Sequence, residues 1–181
     1  YVTYDLTQEL KQGKNAFGVI LGNGWYNIQS HATWNFHNAV WRNRPTFILN
    51  IRVEYESGKT DWIVSDESWK TSTGAIRFNN LYSGEYYDAG MEPDGWNRTG
   101  FDDKKWNQAK PVECPSENII AQSIPPIRIK EEIKAVSYKR LGPNHYVYDL
   151  GRNIAGVCRF TAQGEKKTKI RIKHGEKLYP D

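Results

Sequence analysis

Cysteine is almost missing from this sequence: two residues, Cys114 and Cys158, in 181. Two thiols cannot build a disulfide framework, and their separation does not fit a zinc knuckle. The sequence therefore predicts free, buried thiols. Histidine is scarce too. His31, His37, His145 and His174 form neither H-E-x-x-H nor a paired Cys/His spacing. No apolar run nears the roughly 20 residues that span a bilayer, so a membrane partner is not expected. There is no G-x-S-x-G nucleophile elbow. Leu21-Gly22-Asn23-Gly24-Trp25 lacks the third glycine and the following helix of a phosphate loop. The opening residues, Tyr1 to Asp5, have neither the basic nor the apolar region of a signal peptide. With no initiator Met, the chain reads as starting inside something longer. No amphipathic helical stripe runs for three turns.

What is abundant is aromatic. The chain holds seven Trp and eleven Tyr, side chains that fill cores but also stack on flat ligands and sugars. Hydrophobic residues at 38% and charged residues at 25% suit a folded chain rather than a disordered one. The net charge of +4 hides an asymmetry: residues 127–181 hold 13 Lys+Arg against 6 Asp+Glu, and residues 1–126 hold 12 against 15. All seven Trp lie in the first part, and Ser123-Ile124-Pro125-Pro126 marks the seam. The expected domains are 1–126 and 127–181. The basic second part does not point to nucleic acid. Lys169, Arg171 and Lys173 alternate with Ile170 and Ile172 as the wet face of a strand, and no aromatic platform interleaves with them.

Strands dominate the pattern. Val2, Tyr4 and Leu6 alternate with polar residues, and Ala16 to Leu21 is a short apolar run. Phe47 to Glu56 and Thr60 to Val64 flank Ser57-Gly58, a hairpin signal. Ile127 to Leu141 and His145 to Leu150 flank Gly142-Pro143-Asn144, and Val157 to Ala162 and Thr168 to His174 flank Gly164. Short strands with frequent turns predict an all-β sandwich.

Three carboxyl pairs are candidates for glycosidase chemistry: Glu85 and Asp88, Asp102 and Asp103, Glu131 and Glu132. Neighbours on a strand, and residues three apart, point to opposite faces, so each pair fails as a flanking acid and base. Asp102-Asp103 reads instead as a capped turn. Asn79, Asn80, Glu85 and Asp88 bracket a loop with hard oxygens of the kind calcium takes, without a D-x-D-x-D-G run. The richest segment runs from Gly24-Trp25-Tyr26-Asn27 through Trp34-Asn35-Phe36-His37 to Trp41-Arg42-Asn43-Arg44. Aromatic rings beside Asn, Arg and His match a sugar's apolar face and hydroxyl rim. The same rings equally suit packing on the sandwich or on a neighbouring domain.

Several motifs occur in order. Tyr4-Asp5-Leu6-Thr7, Gly13-Lys14-Asn15, Leu21-Gly22-Asn23-Gly24-Trp25-Tyr26 and Ser65-Asp66-Glu67-Ser68-Trp69 are followed by Tyr82-Ser83-Gly84-Glu85-Tyr86-Tyr87-Asp88-Ala89 and Gly100-Phe101-Asp102-Asp103. This string resembles the N-terminal accessory β-sandwich of bacterial α-L-rhamnosidases. Tyr148-Asp149-Leu150-Gly151-Arg152-Asn153-Ile154-Ala155-Gly156 resembles the opening of their next β module. The resemblance departs at Gly90, where the family usually has Arg.

The resemblance implies an all-β, jelly-roll or galactose-binding-like sandwich over 1–126, its first strands missing. A truncated second β-sandwich module follows over 127–181. It implies a parent enzyme that hydrolyses terminal α-L-rhamnosyl bonds with inversion, in the periplasm or outside the cell. The catalytic acid and base would lie in a downstream (α/α)6 barrel, leaving this region non-catalytic and bracing that barrel. An alternative is an L-rhamnose-binding module using Trp25, Tyr26, Trp34 and His37, with calcium near Asn79 and Asn80. A third is a glycosidase domain active by itself. Glu85 and Asp88 are expected to be structural, as buried carboxylates taking backbone N–H bonds.

Overall fold

The structure, a computed structural model, describes residues 1–31 and 34–178. The chain divides into two units, Tyr1–Gln122 and Ser123–Asp181. Among the described residues, eight strands pair into four two-stranded antiparallel ladders. In the first unit β1 (Asn50–Glu54) pairs with β2 (Thr60–Val64), β3 (Lys70–Thr71) with β6 (Asn107–Gln108), and β4 (Ile76–Asn80) with β5 (Gly84–Tyr87). In the second, β7 (Ser137–Gly142) pairs with β8 (His145–Asp149). Two short 3₁₀ turns, Phe36–Asn38 and Ala89–Met91, are the helical elements among the described residues. None of these is long and apolar enough to cross a membrane.

The β1–β2 hairpin forms where the turn residues require it. Gly58 takes φ +82°, a conformation that costs glycine little, and its N–H donates to Tyr55 O at 2.8 Å. The ladder runs from Asn50↔Val64 to Glu54↔Thr60 and closes with Tyr55 N–H to Lys59 O at 2.9 Å. Lys59 bonds Asp61, two residues further along the same arm, at 2.9 Å. The β7–β8 hairpin turns at Asn144, φ 56°, a residue type tolerant of the left-handed region. Register pairs Tyr138 with Tyr148 and Arg140 with Tyr146, so all four side chains share one face. The rings of Tyr138 and Tyr148 lie 5.9 Å apart.

Four expected strands form no ladder. Val2 to Leu6 is irregular; only Tyr1 pairs, its amino group donating to Ile120 O at 2.5 Å and its carbonyl accepting from Gln122 N at 2.9 Å. Ala16 to Leu21, Val157 to Ala162 and Thr168 to His174 are also unpaired. Alternation reports which faces side chains would take; a strand exists only when a neighbour accepts its backbone. Cys114 and Cys158 are free, as expected, but exposed rather than buried; Cys158 sits in one of these ladderless stretches and Cys114 in an irregular segment of its own. Cys158 Sγ instead lies 3.2 Å from His174 Nε2.

Among the described residues the buried apolar side chains are Ile28, Ile51 and Ala75. Gly18 lies where chain meets chain: a Cβ there would stand 2.3 Å from Trp96 Cζ3.

Candidate functional site

The aromatic loop is positioned from below by asparagines. Asn23 N–H donates to Asn79 Oδ1 at 2.8 Å, and Asn23 Nδ2 to Asn79 O at 2.9 Å. That fastens the loop to β4. Asn27 Nδ2 donates to Asn23 Oδ1 at 2.6 Å, and Arg42 Nη1 to Asn27 Oδ1 at 3.1 Å. Asn27 is 7% exposed and adjoins the fully buried Ile28. The chain Asn79–Asn23–Asn27–Arg42 thus joins both ends of the loop to one strand.

On this base the rings gather around Phe36. Trp25 meets it edge to face at 6.0 Å, Trp34 at 6.1 Å, and Trp41 is tilted against it at 6.1 Å. Trp25 also meets Tyr82 of the β4–β5 turn edge to face at 6.0 Å. Trp34 and Asn35 adopt φ 35° and φ 60°, which turn the chain into the 3₁₀ turn that carries Phe36. Trp34 is 79% exposed, and Trp25 and Trp41 are each about half exposed. The rings of His31 and His37 lie 3.9 Å apart, tilted by 42°. His37 Nδ1 is buried with no hydrogen-bond partner among the described residues. Burial, then the charges of His31 and Arg42, push the His37 pKa below its usual 6.5.

The structure therefore brings Trp25, Trp34 and His37 into one neighbourhood, and adds Phe36, His31, Asn27 and Arg42. Phe36 is the hub that residue type alone did not single out. Tyr26 is half-buried beside the buried Asn27 and makes none of the ring contacts described.

Asn79 and Asn80, the residues expected near calcium, are hydrogen-bonded at the base of the loop. Asn79 Oδ1 and its carbonyl both accept from Asn23. Asn80 is 7% exposed; its Oδ1 accepts from Tyr82 N–H at 3.4 Å, and its free atom is the donor Nδ2. A cation needs open oxygens. Among the described residues no three His, Cys, Asp or Glu side chains gather as a metal site.

Glu85 and Asp88 correct the expectation of buried carboxylates. Both are exposed. Asp88 accepts from Gly90 N–H at 3.0 Å and so begins the Ala89–Met91 turn. Glu85 sits opposite Asn79 in the ladder. The other pairs are tied up singly. Asp102 accepts from Lys104 N–H at 3.2 Å, Asp103 pairs with Lys70 at 2.8 Å, Glu131 with Arg152, and Glu132 with Arg159 at 2.8 Å. Nearby, Glu92 accepts from both Tyr87 Oη at 2.8 Å and Trp96 Nε1 at 3.2 Å, and the first bond raises the Tyr87 pKa. A separate hollow of about 270 Å³ is lined by Leu6, Leu10, Phe17 and Gly18 and shares no residue with the aromatic loop.

An all-β fold with a loop-borne aromatic cluster defines the class, a β-sandwich module. The chain belongs to the α-L-rhamnosidase N-terminal domain family, whose model matches residues 1–131. A bacterial α-L-rhamnosidase concanavalin-like domain model matches residues 139–181. It is 34% identical to an α-L-rhamnosidase of Formosa agariphila over 95% of the chain, and 35% identical to one of Streptomyces avermitilis over all of it. It spans only 18% and 17% of the lengths of those relatives. Two solved structures share the fold. One is the Dictyoglumus thermophilum α-L-rhamnosidase, with TM-score 0.62 and 41% identity, over 73% of this chain and 14% of that one. The other is the Streptomyces avermitilis α-L-rhamnosidase complexed with L-rhamnose, with TM-score 0.65 and 34% identity, over 72% of this chain and 12% of that one.

Proposed function

We propose that this chain is the non-catalytic accessory region of an α-L-rhamnosidase, acting to brace a downstream catalytic barrel of the same polypeptide. The observation that carries this reading is the state of the candidate carboxyl groups. An inverting glycosidase needs an acid held neutral in an apolar enclosure and a base across a water-sized gap. Glu85, Asp88, Asp102, Glu131 and Glu132 are all exposed. Asp103, half-buried, is held by Lys70. Open apolar surface supports the bracing role, since surface of this extent is normally covered by another domain. The test is turnover of an aryl α-L-rhamnoside by the chain. None is expected; turnover abolished by Glu85→Ala or Asp88→Ala overturns the reading.

A second reading, a sugar-binding module, is favoured by the exposed rings around Phe36 and by the L-rhamnose complex of the Streptomyces relative. It predicts saturable heat when L-rhamnose is titrated into the chain. Calcium held near Asn79 and Asn80 is the finer part of this reading, tested by repeating the titration with excess calcium and with chelator.

A further inference from the structure

Resting on the sugar-binding reading, we propose that the aromatic loop selects a sugar ring bearing an acidic group, a carboxylate or a sulfate ester, through Arg42, His31 and His37.

Three independent observations converge. The first is charge. From Leu10 to Val53 there is no Asp or Glu, although the chain holds 21 of them. The same 44 residues carry Lys11, Lys14, Arg42, Arg44 and Arg52, besides His31 and His37. Arg52 pairs with Glu54 on its own strand, but within the loop from Gly24 to Arg44 no carboxylate accompanies Arg42 and Arg44. The second is hydrogen-bond bookkeeping around the Asn network. Each of its side-chain oxygens already accepts one bond: Asn23 Oδ1 from Asn27, Asn27 Oδ1 from Arg42, Asn79 Oδ1 from Asn23, and Asn80 Oδ1 from Tyr82 N–H. Among the described residues the Arg42 guanidinium gives one N–H to Asn27 and no other, so its remaining donors call for a ligand that brings acceptors. The third is geometry. Asn27 fixes one arm of the Arg42 guanidinium, which leaves a planar fork suited to a two-oxygen anion. The rings around Phe36 offer the apolar face on which a sugar stacks.

The groups acting electrostatically on His37 are His31 and Arg42, both bases. Tyr82 adjoins Trp25, and Glu85 stands opposite Asn79, exposed, on the far strand of the hairpin. An anion between the imidazoles and Arg42 relieves their mutual repulsion and favours the protonated imidazole. Affinity therefore rises as pH falls toward the histidine range.

The experiment is calorimetric titration of the whole chain with D-glucuronate, D-glucose 6-sulfate, D-glucose and L-rhamnose, each at two salt concentrations. The two anionic sugars separate carboxylate from sulfate as the preferred group. The expected result is at least one anionic sugar bound about tenfold or more tighter than D-glucose, with the preference shrinking in high salt. Arg42→Gln abolishes the preference. Arg42→Lys, which keeps the charge and loses the fork, retains only part of it, and His31→Gln weakens it without touching the Asn27 contact. Near-ultraviolet circular dichroism of each variant shows whether the loop is still packed. Binding of L-rhamnose with no anionic preference overturns this proposal and leaves the sugar-binding reading standing. Absence of binding by every sugar overturns both. A preference that survives Arg42→Gln in a folded protein also overturns it.

Discussion

Asn23→Ala is the sharpest perturbation of the loop. It deletes two side-chain hydrogen bonds, Nδ2 to Asn79 O and Oδ1 from Asn27 Nδ2, at 2.9 and 2.6 Å. It leaves intact the backbone bonds from Asn23 N–H to Asn79 Oδ1 and from Asn27 N–H to Asn23 O. Each lost bond is worth about 1 kcal/mol, and stranding the Asn27 donor, in a residue 7% exposed, adds about 1–3 kcal/mol. The sum is a loss of about 3–5 kcal/mol when the loop stays closed and water does not reach Asn27. The assay is denaturant unfolding followed by tryptophan fluorescence, because Trp25, Trp34 and Trp41 all ride on this loop. A double-mutant cycle with Asn27→Ala should show coupling of about 0.5 kcal/mol or more, since the two side chains share a bond. A single mutant within about 0.5 kcal/mol of the parent, or a strictly additive cycle, refutes the idea that this network holds the loop.

Gly18→Ala drives a methyl into the Trp96 ring and should cost about 1–3 kcal/mol in the same unfolding assay; an unchanged midpoint means the two segments are not in contact. Glu85→Ala should stay within about 0.5 kcal/mol of the parent, because the side chain is exposed, while Asp88→Ala loses its turn cap and falls by about 0.5–2 kcal/mol. The His37 pKa is depressed in the folded state, so its contribution to stability is present above about pH 6.5 and is lost as pH falls through the lower folded value. Melting temperature without ligand should therefore drop on acidification through that window, and His37→Gln should flatten the drop; a rise would reverse the assignment.

Turn chemistry was the legible part of the sequence. Ser57-Gly58 and Gly142-Pro143-Asn144 announced two hairpins because both demand positive φ at a residue type that tolerates it. Alternation was a poorer guide. Val2, Tyr4 and Leu6 have the period of a strand, yet pairing depends on a partner backbone that no local pattern encodes. The shortest ladder, β3–β6, gives no local signal for the converse reason: Lys70–Thr71 and Asn107–Gln108 are too short to show a period. In the site, the Trp residues were conspicuous by type, but the role of Phe36 follows from distances that only the folded loop sets. The asparagines invited a metal because their oxygens are visible in a sequence and their hydrogen-bond partners are not. The missing signal was negative: the acid-free run from Leu10 to Val53 was there to be counted.

The division at Gln122 gives the first unit an optical label of its own. All seven tryptophans belong to Tyr1–Gln122, while the second unit carries Tyr138, Tyr146 and Tyr148 clustered on one hairpin face and no tryptophan. Red-edge excitation sees the first unit alone, whereas far-ultraviolet dichroism sees both. One chain thus reports on two melting processes without any added dye. Coincident transitions would mean that the units unfold as one cooperative body; separated ones would show which unit leans on its surroundings for stability.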